Sequence, residues 1–251
     1  MTEINISEFD GVRSLHFGTP WVQGSMRLDD PHAIHLEYVQ RMMAWLLLRD
    51  EAEAATGHAV QLGLGAGTIT RFTAQQLRMR TTAVEREPAV VAACRRWFRL
   101  PADSARLSVL TMDAADYAAD PSRHGTVDAL SVDLYDEQAA SPVLDGAAFY
   151  AHCHALLAPR GVMAVNLFGR DASFAGSVGR IAACFGAGQV LTLRPTREGN
   201  TVALAMKDVT LPALHDLARR ADNIETRWRL PARKWLRMLR PAPPAPQAPP
   251  A

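Results

Sequence analysis

The chain has 251 residues, 48% of them hydrophobic, which is enough to bury one sizeable core or one core with a small appendage. A formal net charge of +1 makes nucleic acid an unexpected partner and argues against a general affinity for anionic membranes. No apolar stretch reaches the roughly 20 residues needed to cross a bilayer, and no signal-like apolar segment lies near residue 1, so we expect a cytoplasmic protein.

The first predicted unit, residues 1–31, is a short β-hairpin. Two apolar patches, 12–17 and 21–26, flank a glycine and proline at residues 18–20, a pattern typical of a tight turn. A helix is predicted to follow, with Asp29 or Asp30 as its N-cap, proline in its first turn and its end near residue 48. Its apolar side chains recur at helical spacing. They are Ile34, Tyr38, Met42, Trp45 and Leu46.

Between residues 58 and 207, strand-like segments alternate with helix-like ones. The predicted strands cover residues 59–63, 81–85, 107–110, 127–132, 162–168, 190–193 and 201–206. The clearest predicted helices cover residues 68–77, 88–98 and 145–157. Apolar strands separated by helices indicate a parallel sheet covered on both faces, and the short turn before the last strand makes that strand antiparallel. The predicted fold class is α/β, a Rossmann-like, mostly parallel seven-stranded sheet.

Residues 226–251 are predicted to form a tail. Arginine, lysine and tryptophan, but no acid, occupy the stretch 227–240. Such a stretch could hold anionic lipid or RNA, although a basic linker explains it with fewer assumptions. The proline-rich sequence that follows lacks apolar bulk, which predicts disorder or polyproline II.

The three cysteines give no indication of a metal centre. Cys94, Cys153 and Cys184 lie far apart, each in an apolar helical context, and show no metal-ligand spacing. We interpret them as reduced core residues and predict no metal site.

A glycine-rich loop follows the first strand of the predicted sheet. Gly63, Gly65 and Gly67 form a GxGxG pattern, and glycines let the backbone approach a ligand without a Cβ clash. Glycine turns after strands are common, but the position after the first strand of a β-α-β unit strengthens the interpretation. The pattern favours an adenosylmethionine-type ligand over a dinucleotide.

Acidic residues end the next two strands, at the sheet edge where ligands bind in this kind of fold. Glu85 can accept both hydroxyl protons of a ribose, and the alternative is a solvated acid at a strand end. Asp113 can accept a hydrogen bond from an adenine amino group and can also serve as N-cap of a helix that starts at Ala114. We therefore assign Glu85, Asp113 and Ala114 to an adenosyl-binding site.

A cluster of acids follows the fourth strand: Asp133, Asp136 and Glu137. Like charges at short range raise one another's pKa, and such clusters are tolerated when they meet a cation. A sulfonium or a polyamine would be such a cation, and an exposed acidic loop is the alternative.

Several motifs occur in a fixed order along the chain. Before the sheet they cover residues 12–18, 22–26 and 36–43, and within it the glycine loop and residues 83–85, 97–101 and 133–136. In this order and spacing, residues 12–207 resemble the spermidine synthase family. The family transfers an aminopropyl group from decarboxylated S-adenosylmethionine to a diamine and releases methylthioadenosine.

The resemblance implies a class I methyltransferase-type fold and a role for particular residues. Gln23 and Glu85 would contact the ribose of the donor, and Asp113 would recognise adenine. Asp133 matches the catalytic aspartate and Asp136 the second acid of the same motif. Ala66 stands where the family's loop carries an aspartate that holds the donor's amine. Residues 32–225 would then form the adenosyl-sulfonium-binding domain.

Two other functions are compatible with the same sequence. One is an ordinary S-adenosylmethionine-dependent methyltransferase, and the other is a non-catalytic nucleotide-binding module, because a fold alone does not fix the chemistry. The predicted co-substrate is decarboxylated S-adenosylmethionine or S-adenosylmethionine, without a metal. The predicted partner is a small-molecule amine, with no membrane partner, and a homodimer is left open.

Overall fold

The computed structural model describes residues 3–134, 144–168 and 172–242. The chain begins with an antiparallel N-terminal sheet made of β1 (Ile4–Phe9), β2 (Val12–Phe17) and β3 (Gly24–Arg27). The predicted hairpin is confirmed as the β2–β3 pair. Strand β1 was not predicted, because half-buried isoleucines at positions 4 and 6 are its main apolar signal.

The first helix begins later than the sequence predicts. Helix α1 covers Glu37–Met42 and continues as a 3-10 turn over Met43–Leu47, so the predicted start at Asp29 or Asp30 is wrong. Asp29 accepts a hydrogen bond from the Arg27 guanidinium (Nε to Oδ1, 3.0 Å), and Asp30 forms a turn in which the Ala33 amide donates to its carbonyl. Both aspartates are therefore engaged in the loop that precedes the helix.

Within the described residues, the main sheet has eight strands. They are β4 (His58–Leu62), β5 (Arg80–Glu85), β6 (Leu107–Thr111), β7 (Val127–Val132), β8 (Leu157–Phe168), β9 (Val190–Thr192), β10 (Asn200–Met206) and β11 (Arg240–Pro241). Their spatial order is β11-β9-β10-β8-β7-β4-β5-β6. Strands β4 to β8 are mutually parallel, and β10 is antiparallel to both of its neighbours. The predicted α/β class is confirmed, with β11 as an additional strand.

Helices cover both faces of this sheet. They are α2 (Thr68–Arg71, continued by a π turn over Phe72–Gln76), α3 (Pro88–Trp97), α4 (Ala114–Ala119), α5 (Ala147–Leu156), α6 (Ala172–Phe185), α7 (Leu214–Trp228) and α8 (Ala232–Met238). Alternate residues of one strand enter different cores, as Val162 and Ala164 pack on one face while Met163 and Val165 pack on the other. This alternation explains why the central strands are largely buried on both faces.

The basic stretch near the C-terminus is folded in its described part, up to residue 242. Trp235 of α8 is 1% exposed, Arg233 is paired with Asp222 (2.5 Å) and β11 pairs with β9. These residues therefore pack against the main sheet and its helices. The domain division at residue 225 itself stays a prediction. The proline-rich residues 243–251 lie outside the described part.

Candidate active site

The glycine loop lies between β4 and α2, as predicted, and its three glycines have positive φ angles of 87°, 52° and 67°. A Cβ on Gly63 would lie 2.2 Å from the carbonyl oxygen of Asp133, so a side chain cannot be accommodated without movement of the backbone. The amide of Asp133 in turn donates to the carbonyl of Leu62 (2.9 Å). Glycine at position 63 thus brings the loop against the end of β7.

The N-terminal sheet closes over this loop. A Cβ on Gly24 would lie 2.6 Å from the Cβ of Ala66, and a Cβ on Gly65 would lie 3.0 Å from the carbonyl oxygen of Gln23. The hydroxyl of Thr68 donates to the carbonyl of Ser25 (3.2 Å). The predicted ribose residue Gln23 is thereby placed at the glycine loop, although 40 positions separate it from Gly63 in the chain.

Glu85 ends β5 beside the same loop. One carboxylate oxygen accepts the amide of Leu64 (3.0 Å), and the other accepts the amide of Glu87 (2.9 Å). Burial raises the pKa of Glu85, and the hydrogen bonds from the two backbone amides partly oppose this increase. Each oxygen has a further lone pair with which it can accept a hydrogen bond, and contact with a ribose stays a prediction.

Asp113 ends β6 and caps α4, since its Oδ1 accepts the amide of Ala115 at 2.7 Å. The predicted N-cap is therefore confirmed, and Ala114 is buried in the first turn. The amide of Met112 donates to the carbonyl of Glu85 (3.1 Å), so Asp113 lies next to Glu85 along the sheet edge. Contact with adenine stays a prediction.

Asp133 follows β7 and is held by two side chains. Its Oδ2 accepts the Tyr38 hydroxyl at 3.2 Å, and its Oδ1 accepts the amide Nδ2 of Asn166 at 2.9 Å. Burial raises the pKa of Asp133, while the hydrogen bonds from Asn166 and Tyr38 lower it in part. A buried acid with a perturbed pKa in a cleft is a candidate functional residue, and its catalytic role stays a prediction.

The predicted residues do not all share one cleft. Gln23, Gly65, Ala66 and Asp133 line a cleft together with Tyr38. Glu85, Asp113 and Ala114 are not part of its lining and follow along the sheet edge. Asp136, with Glu137, lies outside the described residues.

Two residues around Asp133 were not identified from the sequence. The sequence places Tyr38 on the apolar face of the first helix, one position out of register with the tyrosine that the resemblance would supply for the amine substrate, and nothing in it points to Asn166. The available signal for Asn166 is that it is the one polar residue of the predicted strand 162–168. An amide inside a buried strand requires partners, and here the carboxylate of Asp133 is one of them.

The fold defines a Rossmann-like α/β protein of the class I methyltransferase type. A probable spermidine synthase from Corynebacterium glutamicum superposes with a TM-score of 0.72 at 21% identity, covering 89% of this chain and 82% of that chain. Human methyltransferase-like protein 13, in complex with SAH, superposes with a TM-score of 0.69 at 22% identity, covering 78% and 93%. Proteins named for two different activities therefore share this fold, and sequence similarity has to distinguish the two families.

Sequence similarity assigns the chain to one family. A polyamine aminopropyltransferase from Chromobacterium violaceum is 33% identical over 232 residues, which cover 92% of this chain and 86% of the relative. No family model matches the chain. The chain belongs to the polyamine aminopropyltransferase family, which is a family of transferases, and the predicted resemblance is confirmed.

Two further findings apply to the described ranges alone. Within them, no helix is long and apolar enough to cross a membrane. Residues 3–134, 144–168 and 172–242 also contain no group of three or more histidine, cysteine or acidic side chains arranged to hold a metal ion.

Proposed function

We propose that this chain transfers an aminopropyl group from decarboxylated S-adenosylmethionine to a polyamine acceptor. The observation that carries the proposal is the position of Asp133, which faces a cleft bounded by the glycine loop, in a chain whose relatives are named for this activity. Family membership favours aminopropyl transfer over methyl transfer on the same fold.

The reaction requires a group that accepts one proton from the acceptor amine. An alkylammonium with an ordinary pKa near 10 cannot attack carbon until it loses a proton, and the Asp133 carboxylate can position the amine and accept that proton. A new N–C bond then forms as the C–S bond of the sulfonium breaks, which leaves a neutral thioether. Because the sulfonium is already an activated leaving group, alignment of the two reactants supplies much of the remaining acceleration.

The donor would lie along the sheet edge. Gln23 and Glu85 are suited to the ribose hydroxyls, and Asp113 with Ala114 to adenine. Asp136 remains the proposed second acid of the acceptor site. A cytoplasmic location and a homodimer stay predictions.

The proposed function is tested by measuring binding and turnover in parallel. Calorimetry with decarboxylated S-adenosylmethionine, S-adenosylmethionine and methylthioadenosine should show binding of adenosyl ligands. Incubation of the decarboxylated donor with amines from putrescine to spermine should give an elongated polyamine and methylthioadenosine. Binding without any product from these amines or from a screen of methyl acceptors would favour the non-catalytic module.

Glu85→Gln should weaken methylthioadenosine binding by about 1–3 kcal/mol, because the neutral amide loses a charged acceptor for the ribose hydroxyls. Calorimetry measures the affinity, and a melting curve checks that the loop is intact. Glu87→Gln is the matched control, since this neighbouring half-buried carboxylate forms only a long pair with the exposed guanidinium of Arg86 (3.7 Å). Equal affinity of the native and Glu85→Gln proteins would exclude the ribose role.

Ala66 determines how the donor is selected. An aspartate in its place would attract the terminal ammonium of the decarboxylated donor and repel the carboxylate of S-adenosylmethionine, an interaction of roughly 4 kcal/mol at about 4 Å and an effective dielectric constant near 20. We expect the native protein to discriminate weakly between the two donors and Ala66→Asp to prefer the decarboxylated form. Competition binding measures both preferences.

Ala66→Asn is the control for that experiment, because it adds the same shape against Gly24 without the charge. It should leave the preference between donors unchanged. If the native protein already rejects S-adenosylmethionine about a hundredfold, which is about 2.7 kcal/mol, another acid performs the selection.

A further inference from the structure

Two side-chain amides, on the neighbouring strands β8 and β10, form a row with the carboxylate of Asp133 at the end of β7. In the parallel β7–β8 pair, Val132 is opposite Val165, so the next residues, Asp133 and Asn166, also lie side by side. In the antiparallel β8–β10 pair, Asn166 is opposite Val202. Asn200, two residues before Val202, therefore lies on the same face of the sheet as Asn166 and diagonal to it.

Hydrogen bonds join the members of this row. The Asn200 amide nitrogen Nδ2 donates to Asn166 Oδ1 at 3.2 Å, and Asn166 Nδ2 donates to Asp133 Oδ1 at 2.9 Å. Asn166 is 3% exposed, so its amide depends on protein partners. The backbone of Asn200 is itself held by the turn before β10, where its amide donates to Thr196 Oγ1 (3.2 Å) and its carbonyl accepts the Thr196 amide (2.7 Å).

The direction of these bonds depends on the charge of Asp133. An ionised carboxylate can only accept, so Asn166 has to present its NH₂ group, which turns the Asn166 carbonyl towards Asn200. Asn200 then has to supply a donor. If Asn166 were reversed, its carbonyl oxygen would face Asp133, and that arrangement suits the protonated acid alone.

We propose that Asn200 is a positioning residue for the transfer reaction: it fixes the amide orientation of Asn166 and thereby keeps Asp133 ionised and ready to accept a proton. The inference rests on the proposed function for its catalytic meaning, whereas the hydrogen-bond network stands independently. Asn200 acts through Asn166 and has no direct contact with Asp133 in this scheme.

Two side chains of the described residues influence the charge of Asp133 through hydrogen bonds. Among the described residues, Tyr38 of α1 is the titratable group that contacts Asp133, and Asn166 of β8 is its second hydrogen-bond donor. Asp136 and Glu137 follow in the chain, outside the described part. Burial raises the pKa of Asp133, and donation from Asn166 opposes that effect. Loss of the donated bond should therefore move protonation of Asp133 to higher pH.

The experiment measures the pH dependence of kcat for the full chain in Asn200→Leu and Asn200→Asp. Asn200→Leu removes the hydrogen-bond donor and keeps a side chain of similar size. Asn200→Asp replaces the donor with an acceptor, which favours the reversed orientation of the Asn166 amide. We expect the acid limb of the profile to shift upward by about 1–2 pH units in both variants, with the larger shift in Asn200→Asp. Asn200→Gln, which retains a donor, should restore the native limb, and Asn5→Asp on the exposed β1 is the matched surface control.

A second measurement keeps the inference independent of turnover. Carboxyl ¹³C NMR, with the Asp133 signal identified by its loss in Asp133→Asn, follows the same titration without substrate. An upward shift in Asn200→Leu supports the inference even if no amine is consumed, in which case the proposed function alone fails. A lower kcat with an unmoved acid limb and an unmoved NMR titration would overturn the inference and leave Asn200 a structural residue.

Discussion

Asp133→Asn should lower kcat for aminopropyl transfer by about 10²–10⁴-fold while donor affinity changes little. The amide keeps the size of the side chain but cannot accept the proton that the attacking ammonium has to lose. The carboxylate accepts one hydrogen bond from Tyr38 and one from Asn166, each on a different oxygen. The amide has a single oxygen, so one of these two hydrogen bonds has to change. Steady-state kinetics at saturating donor, together with calorimetry of methylthioadenosine binding, separates turnover from binding.

Asp116→Asn is the matched control for this change, because Asp116 is an exposed acid in the first turn of α4. Its activity should be that of the native protein. An unchanged rate in Asp133→Asn would mean either that Asp136 accepts the proton or that the aminopropyl hypothesis is wrong.

Gly63→Ala should destabilise the protein by about 2–5 kcal/mol and abolish tight donor binding. About 1–2 kcal/mol comes from placing a Cβ at a φ of 87°, and about 1–3 kcal/mol from the contact with the Asp133 carbonyl, which would be 2.2 Å from the new atom. Relief of that contact has to move either the glycine loop or the end of β7, and both bound the cleft. Chemical denaturation measures the loss of stability, and calorimetry measures the loss of affinity.

Gly125→Ala separates the two contributions. Gly125 has a φ of 71°, but no atom lies within 4 Å of a Cβ built on it. This variant should lose only the backbone contribution, about 1–2 kcal/mol, and should bind the donor normally. Equal losses in the two variants would mean that the contact with Asp133 is relieved at no cost.

The central fold was predictable because its signals are local and repeated. Strands β4 to β8 are short segments rich in apolar and β-branched residues, and the strand 127–132 was predicted with the boundaries it has in the structure. The start of α1 was not predicted correctly. Asp29 and Asp30 are residue types that often cap helices, but their hydrogen-bond partners, Arg27 and the Ala33 amide, lie in a loop. Strand β11 was missed since two residues carry no periodicity, and its pairing with β9 depends on tertiary packing.

The site residues that follow strand ends could be predicted from the sequence, whereas the contacts that depend on the register between neighbouring elements could not. The glycine loop, Glu85, Asp113 and Asp133 each follow a strand, so their common edge could be deduced from the parallel sheet. Tyr38 meets Asp133 across 95 positions of sequence, and Asn200 meets Asn166 across 34. Such contacts depend on which residues oppose each other in neighbouring elements, and a single sequence does not specify this.

The contact between Gly24 and Ala66 couples ligand binding to the docking of the N-terminal sheet on the glycine loop. A ligand held between these elements binds only while the N-terminal sheet is docked, so it suppresses opening of that sheet by mass action. Local opening, rather than global unfolding, is then the process that the ligand controls. A protease would cleave the turn between β2 and β3, where Trp21 is 57% exposed, more slowly when a ligand fills the cleft.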